Sequence, residues 1–457
     1  MPNDTALSPD LDALRRAIAG RLLLPGDDGY DAARTMANAG AERRPAAILQ
    51  PADARDVARA VTHARETGMA LTVRGGGHSF VGHGAADGAL TIDMRSMSEI
   101  TIDPVAREAW AQAGATAEQY TAAAGAHGLA TGFGDAGGVG IAGLTLGGGI
   151  GWLTRKHGMT IDHLLAVELV TADGELREVD AQRDPDLFWA LRGGGGNFGV
   201  VTRLRFRLLA LETVLAGMVI LPADLDTLTG VIAAGEAAPE ELAIIARVTA
   251  LPPLPFIPAE RRGEPAIIAG VAWCGEPAAG EQALEPIRRL AEPIVDLVQA
   301  IPYAEIYGHE GPPRAAFAVR SALLDELDEA AAAALLDGVW EKGTGHASVE
   351  VRVLGGAMAR VPADATAFAH RQRRLMVTVG AMSEHPADMP ALEASASRRA
   401  AAAGLNGRDG YVNYLGDQPA ALASAYPEAT ARRLAEVKRR YDPANLLRSN
   451  FNIAPAV

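Results

Sequence analysis

The spacing of apolar residues changes period several times along the chain. Between Arg44 and Phe80, "RPAAILQPADARDVARAVTHARETGMALTVRGGGHSF" predicts an apolar strand, a helix from about Asp53 to Thr67, and a second strand ending at Arg74. Val57, Ala60, Val61 and Ala64 fall on one face of that helix. Upstream, "SPDLDALRRAIAG" predicts a helix with Ser8 as its cap and Pro9 in the first turn. Downstream, "GALTIDMRSMSEITIDPVAREAWAQAGAT" predicts short alternating strands, and "AEQYTAAAGAHGL" a helix. "LAVELVTADGELREV" alternates on both sides of Ala172-Asp173-Gly174, the pattern of a β-hairpin. "DPDLFWALRGGGGNFGVVTRLRFRL" predicts helix, glycine turn and strand in that order.

The texture changes after about Glu212. Glycine runs stop, and proline-rich patches such as "LPPLPFIP" interrupt strands and alanine-rich helices. "LLDELDEAAAAALLDGV" predicts a solvated helix with an apolar stripe, and "ASVEVRVLGGAMARV" and "RLMVTVGAM" predict strands. These features place a second unit at residues 213–404. The last stretch ends in a helix stopped by Asp442-Pro443.

The length of 457 residues suggests two or three domains with ample apolar residues for large cores. With 42 basic against 56 acidic residues, the net charge of −14 argues against nucleic acid or an anionic membrane as the main partner. The one cysteine, Cys274, excludes an internal disulfide framework and a cysteine-rich metal site. The polar, amphipathic N-terminus shows no signal peptide, and no run approaches the roughly 20 apolar residues of a membrane span. A cytoplasmic location is the resulting expectation.

Candidate chemistry concentrates in three glycine-rich loops. The first, "VRGGGHSFVGHG", spans Val73 to Gly84. Its "GHSFV" approaches a nucleophile elbow around Ser79, but Val81 replaces the last glycine and no helix can follow. Two literal G-x-G-x-x-G matches begin at Gly138 and Gly194. The first follows a loop and the second follows a helix and opens a strand, so neither has the strand-then-helix context of a dinucleotide fingerprint. His78 and His83 have no acidic or histidine partner at ligand spacing, so no metal site is expected. There remains a cradle in which consecutive glycines let backbone N–H groups converge on an anion. Three such loops suit a long ligand with a pyrophosphate.

"RGGGHSFVGHG", "GLTLGGGIGWLTRKHG", "ELVTADGELREVD", "DPDLFWALRGGGGNFGVVT", "YVNYLGD" and "YDPANLLRSNFNI" occur in that order. Together they resemble the FAD-linked oxidases of the berberine-bridge-enzyme and 6-hydroxynicotine-oxidase type, in the vanillyl-alcohol-oxidase superfamily. The resemblance covers nearly the whole chain and is most specific in the first 210 residues and the last 50. It implies an α+β fold. Residues 1–212 and 405–457 would form a PCMH-type FAD-binding domain of two α/β subdomains, completed by the C-terminal segment. Residues 213–404 would form a substrate domain with an antiparallel sheet backed by helices.

The resemblance further implies that FAD is joined covalently to His78, which tunes its potential upward. Around the cofactor it places Arg74, Gly75, Gly76, Gly77, Ser79, Gly82 and His83 in the first loop. Val139, Gly140, Gly143, Gly148, Gly149 and Gly151 follow in the second, Gly199 and Val200 after the third, and Asn413, Asn450 and Asn452 near the C-terminus. Ala136 stands where many relatives carry a second linking cysteine, so a single covalent bond is expected. Val139 falls at a position that admits oxygen in some relatives, which leans towards an oxidase.

The implied reaction takes a hydride from a C–H beside O or N of a small molecule onto flavin N5, with a base taking the proton. Oxygen would then be the acceptor, giving hydrogen peroxide. Tyr411, Asn413 and Tyr414 of "YVNY" are the candidate catalytic residues. A tyrosine needs a positive neighbour to act as a base near neutral pH. In "RLMVTVGAM", Thr378 or Val379 stands where some relatives carry an acid or amide. Phe80 stands where some have a tyrosine; Glu350, alternating on a strand, could face the cavity, but a solvated strand face is expected. The pocket is therefore expected to be rather apolar, suited to a hydrophobic or aromatic substrate. The alternatives are a dehydrogenase that passes electrons elsewhere and a flavin-carrying binding protein without turnover. The oligomeric state is not legible in the sequence.

Overall fold

The strand–helix–strand unit read between Arg44 and Phe80 forms in the structure, a computed structural model that describes residues 9–307, 314–340, 345–416 and 421–457. Ser8, expected to cap the first helix, lies outside the described residues. The helix Ala54–Thr67 begins at Asp53, whose carboxylate accepts the N–H groups of Arg55 and Asp56, and ends on Gly68 at φ 71°. Its predicted face is buried against a four-stranded sheet of β1 (Arg21–Leu23), β2 (Ala47–Gln50), β3 (Leu71–Arg74) and β4 (Leu90–Asp93), in the order β1-β2-β4-β3. β2 and β3 both run parallel to β4, which directs the loop after β3 out of one end of the sheet.

A second, five-stranded sheet is antiparallel throughout. It holds β5 (Ile100–Asp103), β6 (Glu108–Gln112), β8 (Leu164–Val170), β9 (Leu176–Asp180) and β10 (Val200–Arg207) in the order β5-β6-β10-β8-β9. The expected hairpin is β8–β9. β7 (Leu129–Ala130) pairs with β11 (Leu209–Ala210). One apolar core runs through both larger sheets and takes in Leu434, Val437, Tyr441, Leu447 and Ile453 from the C-terminus.

The third sheet is built from later sequence. It contains β12 (Thr213–Pro222), β13 (Leu242–Ala250), β14 (Pro265–Trp273), β15 (Val295–Asp296), β16 (Gln299–Pro302), β17 (Ala316–Leu324), β18 (His346–Val353) and β19 (Leu375–Ser383). The order is β15-β12-β14-β13-β18-β19-β17, with β16 also on β12, and all pairs are antiparallel. One face carries Val219, Ile244, Val248, Val271, Val351 and Val377 into a core shared with the helices Leu225–Ala237, Pro277–Arg288 and Glu329–Val339. The residues between them in each strand face the other way, towards the glycine loops. Among the described residues, no helix is long and apolar enough to cross a membrane.

The chain's end is locked by buried polar groups. Lys438 and Asp442 are wholly buried and paired at 2.6 Å. Lys438 also donates to the carbonyls of Asn197 (2.8 Å) and Leu447 (3.0 Å), and Asp442 accepts the N–H groups of Leu446 and Leu447. Removing one partner of such a pair strands the other charge in the core. Asp442→Ala is therefore expected to cost about 3–5 kcal/mol, read as a lowered unfolding midpoint. An unchanged midpoint would contradict this account.

Candidate active site

The loop after β3 meets a second loop with no side chain between them. A Cβ on Gly76 would lie 2.3 Å from the nitrogen of Gly140, and one on Gly140 would lie 2.2 Å from the nitrogen of Gly76. Glycine is required on both sides of this contact. The second loop is itself fixed, because Ala117 and Glu118 donate to the carbonyls of Val139 and Gly137, and Ile141 donates to Ala115. Gly140 then opens the helix Ile141–Gly147, which the sequence did not predict. Gly143 is exposed in that otherwise buried helix, with nothing within 4 Å of its would-be Cβ.

No backbone N–H of Gly76, Gly77, His78, Ser79 or Phe80 donates to another described residue. Ser79 Oγ accepts the N–H of His83 at 3.2 Å and closes a turn. Burial holds the His78 imidazole below its ordinary pKa, with Arg74 adding to the effect and a contact to the Gly138 backbone opposing it. A neutral ring with a free lone pair is the form able to make a bond to carbon. Arg74 lies behind the loop. It donates to the carbonyls of Ala33 and Thr35, and a Cβ on Gly77 would meet its guanidinium. Its role is to hold the loop from beneath.

The third glycine turn is bound to the C-terminal tail. Asn197 donates to the carbonyls of Gly194 and Phe451 and accepts the N–H of Ile453 at 3.0 Å. Phe451 meets His83 edge-on at 4.6 Å, so the tail touches the first loop. The Oδ1 atoms of Asn450 and Asn452 are buried without a partner.

Other glycines have packing reasons. A Cβ on Gly151 would lie 1.6 Å from the Phe133 carbonyl, one on Gly199 2.5 Å from Leu169, and one on Gly82 2.8 Å from Ala41. Gly148 fits between Met159, Phe368 and Tyr411, and Gly149 fits against Thr160. Gly75 has only the Ala113 carbonyl nearby. Val200 is buried in β10, and Val139 is half-buried.

Opposite these loops stands the open face of the third sheet, and here the sequence reading needs correction. Glu350 is not on a solvated face. It is buried and accepts Arg352 Nε and Arg247 Nη2, each at 2.7 Å. Arg352 continues the ladder, donating to Asp135 at 2.7 Å and to the Tyr414 hydroxyl at 3.0 Å. Burial alone would raise the Glu350 carboxyl, but the two guanidinium groups hold it well below the usual range. The cleft thus has a charged rail that the expectation of an apolar pocket missed. Arg352, Asp135 and Arg247 were not singled out from sequence. The alternation of "SVEVRV", which puts Glu350 and Arg352 on one face, was the available signal.

The three residues of "YVNY" separate by environment. Tyr411 is buried, and its oxygen accepts Gly149 N–H at 2.9 Å and Asn413 Nδ2 at 2.8 Å. Asn413 also donates to the Leu144 carbonyl at 2.9 Å, so it anchors Tyr411 to the second loop. Tyr414 is more open. Its ring stacks on Tyr411 at 5.7 Å and lies 5.2 Å from Phe80, whose edge packs on Phe317 at 5.4 Å. Burial pushes the Tyr414 phenol up, Arg352 pulls it down, and Asp135 and Glu350 push it up again.

Among the described residues no group of His, Cys, Asp or Glu could hold a metal ion. The cradle fits a different ligand: unpartnered amides, a side-chain-free seam between two loops, and orphaned amide oxygens in the tail suit a nucleotide with a pyrophosphate.

Comparisons with known proteins agree. Residues 45–180 match the FAD binding domain family, and residues 410–454 match the family described as berberine and berberine like. The (R)-6-hydroxynicotine oxidase of Paenarthrobacter nicotinovorans is 29% identical over 96% of this chain and 97% of its own. Glucooligosaccharide oxidase of Sarocladium strictum is 35% identical over 39% of this chain and 36% of its own length. Among solved structures, 6-hydroxy-D-nicotine oxidase from Arthrobacter nicotinovorans superposes with a TM-score of 0.85 at 27% identity, covering 96% of this chain and 98% of that one. The glucooligosaccharide oxidase of Acremonium strictum, with its 6-S-cysteinyl, 8α-N1-histidyl FAD, shares the fold at a TM-score of 0.86 and 24% identity, over 98% of this chain and 100% of that one.

The seam between the loops makes a direct prediction. Gly76→Ala forces backbone from backbone, a strain of roughly 1–3 kcal/mol. The variant is expected to fold but lose flavin about tenfold or more, measured as the ratio of flavin to protein absorbance. Full flavin content would contradict the seam.

Proposed function

We propose that this chain, an FAD-linked oxidoreductase with the FAD-binding and berberine-like segments of that oxidase family, oxidises a C–H bond beside oxygen or nitrogen in a small aromatic substrate. The observation that carries the reading is the Tyr414 hydroxyl, held at 3.0 Å by Arg352 and flanked by Phe80, two residues beyond His78. FAD, when bound, supplies the two-electron acceptor, held by His78 and the amides of the Gly76–Phe80 loop, with Asn450 and Asn452 at the tail. Overall the substrate loses two hydrogens, and dioxygen receives them as hydrogen peroxide.

The chain's own groups divide the remaining work. Phe80, Phe317 and Tyr414 give aromatic walls on which a flat substrate can lie. Tyr414 takes the proton of the substrate's O–H or N–H. Arg352 orients that phenol and stabilises the phenolate that forms. Glu350 and Asp135 keep the guanidinium in place. Tyr411 and Asn413 support the wall from behind. His78 supplies the single attachment point. Cys274, the chain's one cysteine, is buried on the third sheet with its thiol on the Glu241 carbonyl at 3.4 Å. Residues 213–404 serve as the substrate-facing part and the rest as the cofactor-holding part.

Two tests follow from this reading. Acid-precipitated protein should keep its yellow colour in the pellet, and His78→Ala should release it to the supernatant. Colour released from both would remove the covalent bond from the account. Tyr414→Phe should lower turnover of benzylic alcohols or amines, read as peroxide, by about a hundredfold or more. Because the phenol sits above its ordinary pKa, kcat/KM should rise with pH into the alkaline range. Removing the positive charge raises the phenol further, so Arg352→Gln should move that limb to higher pH. A limb unmoved in Arg352→Gln, or oligosaccharides turned over in preference to benzylic compounds, would overturn the assignment.

A further inference from the structure

The rail ends in a guanidinium that is only partly used. Arg247 stands on β13 directly across from Glu350 on β18, which in turn faces Thr378 on β19. The three therefore lie in one row on the open face of the sheet. Arg247 is surrounded by protein yet keeps about half of its side chain open to solvent, as a group lining a cleft does. It gives one N–H to Glu350 and donates to no other described residue. Thr378, more than nine-tenths buried, has a hydroxyl with no partner.

Both oxygens of Glu350 and one of Asp135 are already engaged. Glu350 has one oxygen on Arg352 and the other on Arg247, and Asp135 takes Arg352 Nη2. The row thus presents surplus donors and a fixed positive group, two side chains away from the Tyr414 hydroxyl. Ile268, the neighbour of Arg247 on β14, adds an apolar wall beside it. A planar guanidinium with a free edge matches a carboxylate by two parallel hydrogen bonds.

We infer that the free edge of the Arg247 guanidinium is a specificity-determining subsite that binds a carboxylate on the substrate, remote from the carbon that is oxidised. The inference rests on the proposed oxidation of an aromatic substrate and narrows it to aromatic acids that carry an oxidisable alcohol or amine. The carboxylate sets the substrate's position along the rail, and the aromatic walls set its plane.

Binding can be tested apart from turnover. The holoenzyme is titrated with para-toluate and with para-toluamide, which has the same shape without the charge, and the flavin absorbance change is followed. The carboxylate should bind about tenfold or more tightly than the amide. Arg247→Gln should erase that preference, and Arg247→Lys should retain part of it. Far-UV circular dichroism confirms that each variant is folded. Equal affinity in the native protein, no saturable binding of the carboxylate, or a preference that survives in Arg247→Gln would overturn the inference. Peroxide formation from para-(hydroxymethyl)benzoate and from para-methylbenzyl alcohol is measured in parallel, and the two are read together as turnover. Its absence would count against the oxidation reading, whereas its presence without a carboxylate preference would remove only the subsite.

Discussion

The contact of Gly76 with Gly140 is the constraint on which the rest of the site depends. Main chain meets main chain there, and even one methyl group on either side would collide with a peptide nitrogen. This close approach joins the end of β3 to the segment that leads into the helix Ile141–Gly147. It also sets where the next residues go. His78 comes to rest beside Gly138, and Phe80 reaches the third sheet. Asn38 then fixes that position, donating to the carbonyls of both Phe80 (2.7 Å) and Phe317 (2.9 Å). A buried amide thus ties the glycine-rich loop after β3 to β17 of the third sheet, so the two faces of the cleft hold a set distance.

Much of this frame was legible in the sequence, for a physical reason. The helix Ala54–Thr67 has its cap, its apolar stripe and its terminal glycine within one contiguous segment. The β8–β9 hairpin likewise carries its own turn. The short helix Ile141–Gly147 was not legible, because "IAGLTLG" has weak intrinsic preference and forms under tertiary burial. The charged rail failed for another reason. Alternation puts Glu350 and Arg352 on the same face but does not say which face is buried. That depends on β18 lying between β13 and β19, a pairing that joins residues about a hundred positions apart.

The two tyrosines of one motif show how environment divides roles that sequence leaves equal. Tyr411 is enclosed, and the donors Gly149 and Asn413 both point at its oxygen. Those bonds connect it to the second loop and use its acceptor capacity. Tyr414 turns its ring onto Phe80 and its oxygen towards a single cation. Its backbone is held as well, since Ser321 Oγ donates to its carbonyl at 3.0 Å. A phenol fixed at both ends, with one charged donor and an open side, is suited to exchange a proton. A phenol with its lone pairs already occupied is suited to hold shape.

The rail has a cost that only complete pairing offsets. Arg352, Glu350 and most of Asp135 are drawn out of bulk water, while Arg247 stays half open at the end of the row, and an isolated buried member would be strongly unfavourable. Each is instead matched: Glu350 between two arginines, and Arg352 between two acids and a phenol. Apolar residues in the same row would pack at least as well, so stability alone does not explain the choice. Aromatic walls such as Phe80 and Phe317 attract any flat molecule and discriminate weakly between orientations. Fixed charges discriminate strongly, because turning a bound molecule around leaves a buried ion unmatched. On the proposed reading the cleft would obtain affinity from its rings and direction from its rail, which runs from Arg247 to the Tyr414 hydroxyl.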